Sequence, residues 1–221
     1  MQPNPLLRPE TGTNADVGVR LHFERRRLAI DTDTAFFVAW AEDLIQFQQN
    51  ARGQARAANV GAARIQGLET AASLRFGPHL RMAAQVTLTR AVDSSDAAAR
   101  VGKQLPFRPQ ARAYLRPELR ELRLPFALRC GVYADVDFTA GNYRDPANVV
   151  RVPKRLLFGA GASLAHDDSG VRLVASAVNL TNTPALDLAG FPLPGRSLFF
   201  TLEWTSPPTR LPAASSQGEI N

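Results

Sequence analysis

An almost unbroken alternation of apolar and more polar residues between Leu122 and Phe138 is the feature that most constrains the fold of this chain. Successive side chains of a β-strand point to opposite faces, so the pattern predicts one long strand with an apolar and a polar face. The run exceeds both the ~5–6 residues of an ordinary strand and the ~9–11 that cross a bilayer. It therefore favours a wall between lipid and a polar lumen. The apolar face carries Leu122, Leu124, Phe126, Leu128, Cys130, Val132, Ala134, Val136 and Phe138, and the polar face includes Arg123, Arg129, Asp135 and Asp137.

Several other segments repeat this two-faced pattern, which brings the expected number of strands to about nine. The facing is clear in residues 17–23, 68–76, 80–88, 156–164 and 198–204, and ambiguous in residues 28–40, 111–116 and 171–180. Trp204 ends the last segment where an interfacial girdle of aromatic residues is expected in a membrane barrel.

The connections between these segments alternate between short and long. We expect short turns at residues 25–27, 77–79, 116–119 and 166–170, and long connections at residues 46–58, 92–109, 139–149 and 181–194. Membrane barrels have this alternation because short turns face the periplasm and long loops face the medium.

Charge and composition exclude several functions. The net charge is +6, and Lys103 and Lys154 are the only lysines. The arginines are spread along the chain, which argues against a nucleic-acid-binding patch. Cys130 is the single cysteine, so an internal disulfide is excluded. The adjacent turn residues His166, Asp167 and Asp168 cannot complete a metal coordination shell. No nucleophile elbow or phosphate loop is present, so we expect no catalytic residue, metal or cofactor, and no enzymatic activity.

The first residues lack the basic segment and following apolar stretch of ~7–15 residues that mark a secretory signal. An outer-membrane barrel must be exported. We therefore expect this chain to carry no signal peptide of its own and to be part of a longer protein.

Several short motifs resemble, in order and spacing, the C-terminal half of the barrel of TonB-dependent outer-membrane receptors. The resemblance runs from Asn4 to Trp204. The motifs lie at residues 4–10 (NPLLRPE), 42–45 (EDLI), 59–69 (NVGAARIQGLE), 105–109 (LPFRP), 179–182 (NLTN) and 194–196 (PGR).

This resemblance implies an all-β fold. Residues 1–204 would form about nine antiparallel strands, an incomplete part of a barrel of about 22 strands whose lumen is closed by a plug domain. Residues 205–221 are expected to be a polar, disordered tail. The implied function is non-enzymatic uptake of a scarce solute, such as a metal chelate, a vitamin or a sugar, across the Gram-negative outer membrane.

The implied partners are outer-membrane lipid, the plug domain and remaining strands, a small-molecule ligand, and the TonB complex acting through an N-terminal part that is missing here. Nucleic acid is not expected. Two alternatives stay open: a small self-contained outer-membrane barrel, porin-like or structural, and a soluble basic β-domain that binds an anionic partner.

Two groups of residues are candidate sites. A set of inward arginines is expected to contact either the plug or an anionic solute, and a surface loop mixes aromatic and hydrogen-bonding groups suited to ligand capture. The arginines are Arg20, Arg75, Arg81, Arg123, Arg129 and Arg155, and the loop residues are Asn142, Tyr143 and Arg144.

Overall fold

The computed structural model describes residues 4–49, 55–59, 61–95, 98–188 and 191–206. Within these ranges the chain consists of fifteen strands, of which nine form one sheet. No helix in the described residues has the length and apolar character needed to cross a membrane. The predicted all-β class is confirmed.

The nine-stranded sheet is an antiparallel meander in which each strand pairs with its neighbours along the sheet, in the order β1-β2-β5-β6-β7-β8-β11-β12-β15. Its members are β1 (Thr11–Arg25), β2 (Leu28–Glu42), β5 (Ala62–Phe76), β6 (Leu80–Asp93), β7 (Ala111–Leu124), β8 (Leu128–Ala140), β11 (Arg155–His166), β12 (Val171–Val178) and β15 (Ser197–Trp204). Within the described residues β1 pairs only with β2, and β15 only with β12, so these two strands are the sheet edges.

Three small hairpins extend the connections between these strands. They consist of β3 (Ile45–Gln49) with β4 (Ala55–Asn59), β9 (Asn142–Tyr143) with β10 (Arg151–Val152), and β13 (Leu186–Leu188) with β14 (Phe191–Pro192). All three lie at the end of the sheet that carries the long connections. The opposite end has short turns at residues 26–27, 77–79, 125–127 and 167–170. The predicted alternation of short and long connections is confirmed.

Strand register separates the two faces of the sheet. Phe36 of β2 lies opposite Leu68 of β5, which lies opposite Leu88 of β6. Further along the sheet and on the same face, Val136 of β8 lies opposite Phe158 of β11. Because cross-strand partners share a face, the apolar side chains form one continuous surface across nine strands. Many stay open, as with Phe200, which is 81% exposed.

The alternation from Leu122 to Phe138 does not form one strand, so that prediction is wrong. β7 ends at Leu124 and β8 begins at Leu128, with Phe126 and Ala127 in the turn at φ of 63° and 53°. Leu124 pairs with Leu128 across this turn. The alternation of apolar residues therefore keeps its phase through the three-residue turn, and the apolar face continues from β7 to β8.

The predicted turn at residues 116–119 is also wrong. Pro117 lies inside β7, opposite Met82 of β6. Proline has no N–H to donate to a ladder, and pairing of β7 with β8 is absent at Arg116 and Pro117 although the register continues on either side. The register then shifts at a bulge between Leu119 and Leu122. The apolar face of β7 therefore carries odd-numbered residues before the bulge and even-numbered residues after it.

The buried apolar core is small and lies at the long-loop end. Ala63, Ala91 and Leu105 are each at most 2% exposed. Leu105 belongs to the β6–β7 connection, which folds back on β6 and bonds to the Ala91 carbonyl through the Leu105 N–H (2.9 Å). No second layer packs on the nine-stranded sheet within the described residues. Residues 50–54, 96–97, 189–190 and 207–221, which include parts of three predicted long connections and most of the predicted tail, lie outside the described residues.

Candidate functional site

The polar face of the sheet carries charges that largely compensate one another. Arg20 Nε lies 2.6 Å from Asp33 Oδ2, which is its register partner on the next strand. Arg129 has two partners at 2.5 Å: its Nη1 lies next to Glu121 Oε2, and its Nε lies next to Asp167 Oδ1. These pairs are half-exposed or, at Arg20, mostly exposed, so each contributes little to stability.

All six predicted arginines lie on this polar face, but they differ in their partners. Like Arg20 and Arg129, Arg155 has a carboxylate partner: its Nη2 lies 3.4 Å from Asp137 Oδ1. Among the described residues, no carboxylate lies within 4.0 Å of Arg75, Arg81 or Arg123, although Arg75 interacts electrostatically with Asp31. Arg75 and Arg81 are register partners. Contact of these arginines with a plug or an anion stays a prediction.

Further polar-face arginines were missed by sequence reasoning, because the facing of residues 111–116 and 171–180 was ambiguous. Arg112 pairs in register with Thr139, and the Arg116 guanidinium lies over the Tyr133 ring, 3.7 Å from its centroid. Arg172 lies 3.7 Å from Glu203. The bulge in β7 reverses the facing pattern within one strand, so a single alternation cannot describe it.

Tyr133 and Asp135 lie flat against glycines on the polar face. A Cβ built on Gly161 would lie 2.6 Å from the Tyr133 Cζ and 2.7 Å from its Oη, and one on Gly159 would lie 2.6 Å from both carboxylate oxygens of Asp135. These glycines are the register partners of the side chains that cover them. The missing side chains thus make room for a ring and a carboxylate along the wall.

The predicted ligand loop lies at the long-loop end, and hydrogen bonds hold part of it. Asn142 is 9% exposed, and its Oδ1 accepts a hydrogen bond from the Tyr143 N–H at 3.0 Å. The Arg151 guanidinium lies 5.8 Å from the Tyr143 ring centroid. Arg144 is exposed, and its N–H donates to the Val150 carbonyl. Ligand binding by Asn142, Tyr143 and Arg144 stays a prediction.

Asp145 organises the tip of this loop. Its carboxylate accepts N–H bonds from Val150 (2.6 Å), Val149 (3.2 Å) and Ala147 (3.0 Å). These bonds favour the ionised form, with that from Val150 the strongest, and together they hold the pKa of Asp145 below its ordinary value against the opposing effect of desolvation. The loop conformation is therefore linked to an ionised carboxylate.

Three of the motifs that suggested the family resemblance contact one another. The Arg8 N–H donates to Asn59 Oδ1 and the Asn59 side-chain amide donates to the Arg8 carbonyl, both at 3.1 Å. Asp43 forms an ion pair with Arg8. The Ile45 N–H donates to a Glu10 carboxylate oxygen at 2.5 Å. The segment at residues 4–10 is thereby fixed to the β2–β5 connection.

Two later motifs form a second cluster of the same kind. Asn179 is 2% exposed, adopts φ of 52°, and donates from Nδ2 to the carbonyls of Thr183 (3.0 Å) and Pro194 (3.3 Å). Asn182 Oδ1 accepts the Arg196 N–H at 2.9 Å. These contacts join the two ends of the β12–β15 connection, so the asparagines have a structural role that the sequence alone did not reveal.

A comparison with protein families decides the assignment of this chain. The model described as "TonB dependent receptor-like, beta-barrel" matches residues 1–180 of the 221. The chain belongs to the TonB-dependent receptor family. This family of receptor barrels belongs to the outer membrane of Gram-negative bacteria. No curated protein matches the sequence.

Solved structures support the same fold for this receptor barrel segment. The ferric yersiniabactin uptake receptor FyuA from Yersinia pestis matches with a TM-score of 0.67 and 18% identity over 88% of this chain and 28% of FyuA. The copper transporter OprC matches with a TM-score of 0.67 and 20% identity over 89% of this chain and 31% of OprC. The pyoverdine receptor FpvA from Pseudomonas aeruginosa PAO1 matches with a TM-score of 0.64 and 19% identity over 90% of this chain and 30% of FpvA. The chain thus spans about 30% of the length of these proteins.

Proposed function

We propose that residues 11–204 form one section of the wall of an outer-membrane receptor that takes up a scarce solute. The observation that supports this most directly is the two-faced sheet: one apolar surface continues across nine strands, while the opposite surface is charged and ion-paired. A wall between lipid and an aqueous lumen requires this division.

The two unpaired sheet edges favour the hypothesis of a section of a larger wall and argue against a self-contained barrel. In the described residues β1 and β15 each have one unpaired edge. Strand edges inside a membrane must be paired, because their backbone groups cannot bond to water there. The remaining strands of a larger barrel would supply the partners. A soluble domain is a weaker candidate, since the apolar surface has no covering layer in the described residues.

A metal chelate is the solute class we favour over a vitamin or a sugar. The solved structures that resemble this chain include a ferric yersiniabactin receptor, a copper transporter and a receptor with bound pyoverdine. In the proposed mechanism the long loops capture the solute, and the TonB complex moves a plug whose carboxylates contact arginines such as Arg75 and Arg81. Charge-assisted bonds of this kind are strong when they exclude water.

The membrane facing can be tested with adjacent single tryptophans. In a Trp40→Phe, Trp204→Phe background, one tryptophan replaces either Val86 on the apolar face or its neighbour Gln85 on the polar face. We expect acyl-brominated phospholipid to quench Val86→Trp strongly and Gln85→Trp weakly. Equal quenching at both positions, or a chain that stays monomeric and soluble without detergent, would contradict the proposal.

The solute class can be tested with a chimera. Residues 1–204 would replace the equivalent strands and loops of a siderophore receptor in a receptor-deficient host. We expect ferric chelates to restore growth on limiting iron, and substitution of Tyr143 with alanine to weaken this growth. Growth that is restored when a vitamin or an oligosaccharide is the limiting nutrient, but not by ferric chelates on limiting iron, would contradict a metal chelate while leaving the receptor wall intact.

A further inference from the structure

A cavity opens on the apolar face where the sheet meets the long connections. Its volume is about 490 Å³, and its apolar part is formed by Phe36, Leu68 and Leu88, which are register partners on β2, β5 and β6. The same face continues below it as the surface assigned to lipid under the proposed function. The apolar part of the cavity is thus continuous with the acyl region of a bilayer.

The upper part of the cavity is polar. Gln66 and Arg90 are register partners directly beyond the apolar row, and amides from two connections, including Gln104 and Asn148, complete the lining together with Tyr143. A cavity that is apolar on one side and lined by amides and a guanidinium on the other fits an amphiphile better than a purely polar solute.

Gln104 carries an unmet hydrogen-bonding need at this site. It is 6% exposed, and its Nε2 donates to the carbonyls of Arg108 (2.5 Å) and Gly141 (2.7 Å). These two bonds fix the orientation of the amide, and its Oε1 has no donor among the described residues. A buried acceptor without a donor costs free energy, and because this oxygen is itself buried, Gln104 closes the cavity between two connections and does not meet a ligand through Oε1.

Two cations lie on this face without a carboxylate partner. Arg64 and Arg90 are exposed, and neither forms an ion pair with any described carboxylate. Arg64 is the register partner of Trp40, which is 47% exposed. Glu42 lies on the same face further from the apolar band. Exposed arginines and an aromatic ring just above an apolar band are typical of a lipid–water interface.

We propose that this cavity, with Arg64 beside it, binds the phosphorylated head group of an outer-leaflet lipid. The phosphate pairs with Arg90 and Arg64, and an acyl chain lies over Phe36, Leu68 and Leu88. Basic pockets at a membrane surface recognise anionic head groups in this way. The inference rests on the proposed function, because it needs the long-loop end to face the outer leaflet.

The test uses Trp40 as the reporter. The full chain with Trp204→Phe is refolded in zwitterionic micelles, its strand content is checked by circular dichroism, and Trp40 fluorescence is followed on titration with diphosphorylated lipid A. We expect saturable binding that weakens about tenfold with Arg90→Gln or Arg64→Gln. Arg90→Lys should retain part of the affinity, since it keeps the charge but loses the planar fork. The control, Arg27→Gln in the short turn between β1 and β2 at the opposite end of the sheet, should change the affinity less than twofold.

Three results would overturn the lipid site in a folded chain: equal binding of lipid A without phosphates, no effect of either Gln substitution at Arg90 or Arg64, or an equal response to inorganic phosphate alone. A response that follows dimer formation in sedimentation would assign the surface to a second copy of the chain and also overturn it. A chain that stays monomeric and soluble without detergent would contradict the proposed function itself, and the lipid site with it.

Discussion

Replacement of Gly161 by alanine should destabilise the sheet through a single ring. The new Cβ would lie 2.6 Å from the Tyr133 Cζ, so the ring must move. Overpacking of this kind costs about 1–3 kcal/mol, and displacement also weakens the stacking of Arg116 on the ring, an interaction of about 0.5–1 kcal/mol at exposed sites. Alanine favours the strand over glycine by about 0.5–1 kcal/mol. Since the last two contributions are of equal size and opposite sign, the net loss in the free energy of unfolding should be about 1–3 kcal/mol.

A double-mutant cycle isolates the contribution of the ring. The free energy of unfolding is measured in micelles by urea titration with circular dichroism for the parent chain, Gly161→Ala, Tyr133→Ala and the double variant. In the Tyr133→Ala background, Gly161→Ala should be neutral or stabilising by about 0.5–1 kcal/mol, because nothing then occupies the space above residue 161. An equal destabilisation by Gly161→Ala in both backgrounds would refute the role assigned to Tyr133.

Three further outcomes are expected. Arginine at Val86 should cost about 2–4 kcal/mol of unfolding free energy in a membrane-embedded barrel while arginine at Gln85 should cost far less; equal costs would mean that the faces are misassigned. Because the pKa of Asp145 is lowered in the folded loop, its stabilisation is complete above the ordinary carboxyl pKa of about 4 and is lost as pH falls through the lower folded value. The protection factor of the Val150 amide, which is its exchange rate relative to an unstructured peptide at the same pH, should therefore fall on acidification, and Asp145→Asn should remove this change. Asn179→Ala removes buried hydrogen bonds and places alanine at φ of 52°, so the urea midpoint should fall by the equivalent of about 2–3 kcal/mol; an unchanged midpoint would exclude its structural role.

Much of the sheet could be predicted because each strand has two chemically different faces. Period-two alternation identifies a strand wherever one side meets apolar surroundings and the other does not. The turn at residues 125–127 was missed because its phase matches the strands around it: Phe126 keeps the apolar alternation although it is 87% exposed in the turn. Pro117 suggested a turn because proline usually interrupts ladders, yet here it sits within β7 at a gap in the pairing with β8.

The candidate sites were less predictable because they depend on contacts between distant segments. The facing of Arg20, Arg75 and Arg155 followed from alternation alone. By contrast, the sequence gives no local sign that Gln104 lies beside Asn148, whose side-chain amide donates to the Gln104 carbonyl at 2.9 Å while its Oδ1 accepts the Gln104 N–H at 2.7 Å. Loop-to-loop pairs of this kind are set by the register of the strands beneath them.

Because the sheet is a meander, each hairpin of this wall depends mainly on the strands beside it, both for its stability and for its replacement during evolution. In the described part of the chain, each strand of the large sheet pairs only with its neighbours in the sheet, and the hydrogen bond between Gln104 and Asn148 likewise joins two successive long connections. Stability in such an array is a sum of nearest-neighbour interfaces, as in repeat proteins. A hairpin with its loop could therefore be exchanged between related receptors by matching only two strand edges and one adjoining loop, so new ligand-facing surfaces can arise without rebuilding the rest of the wall.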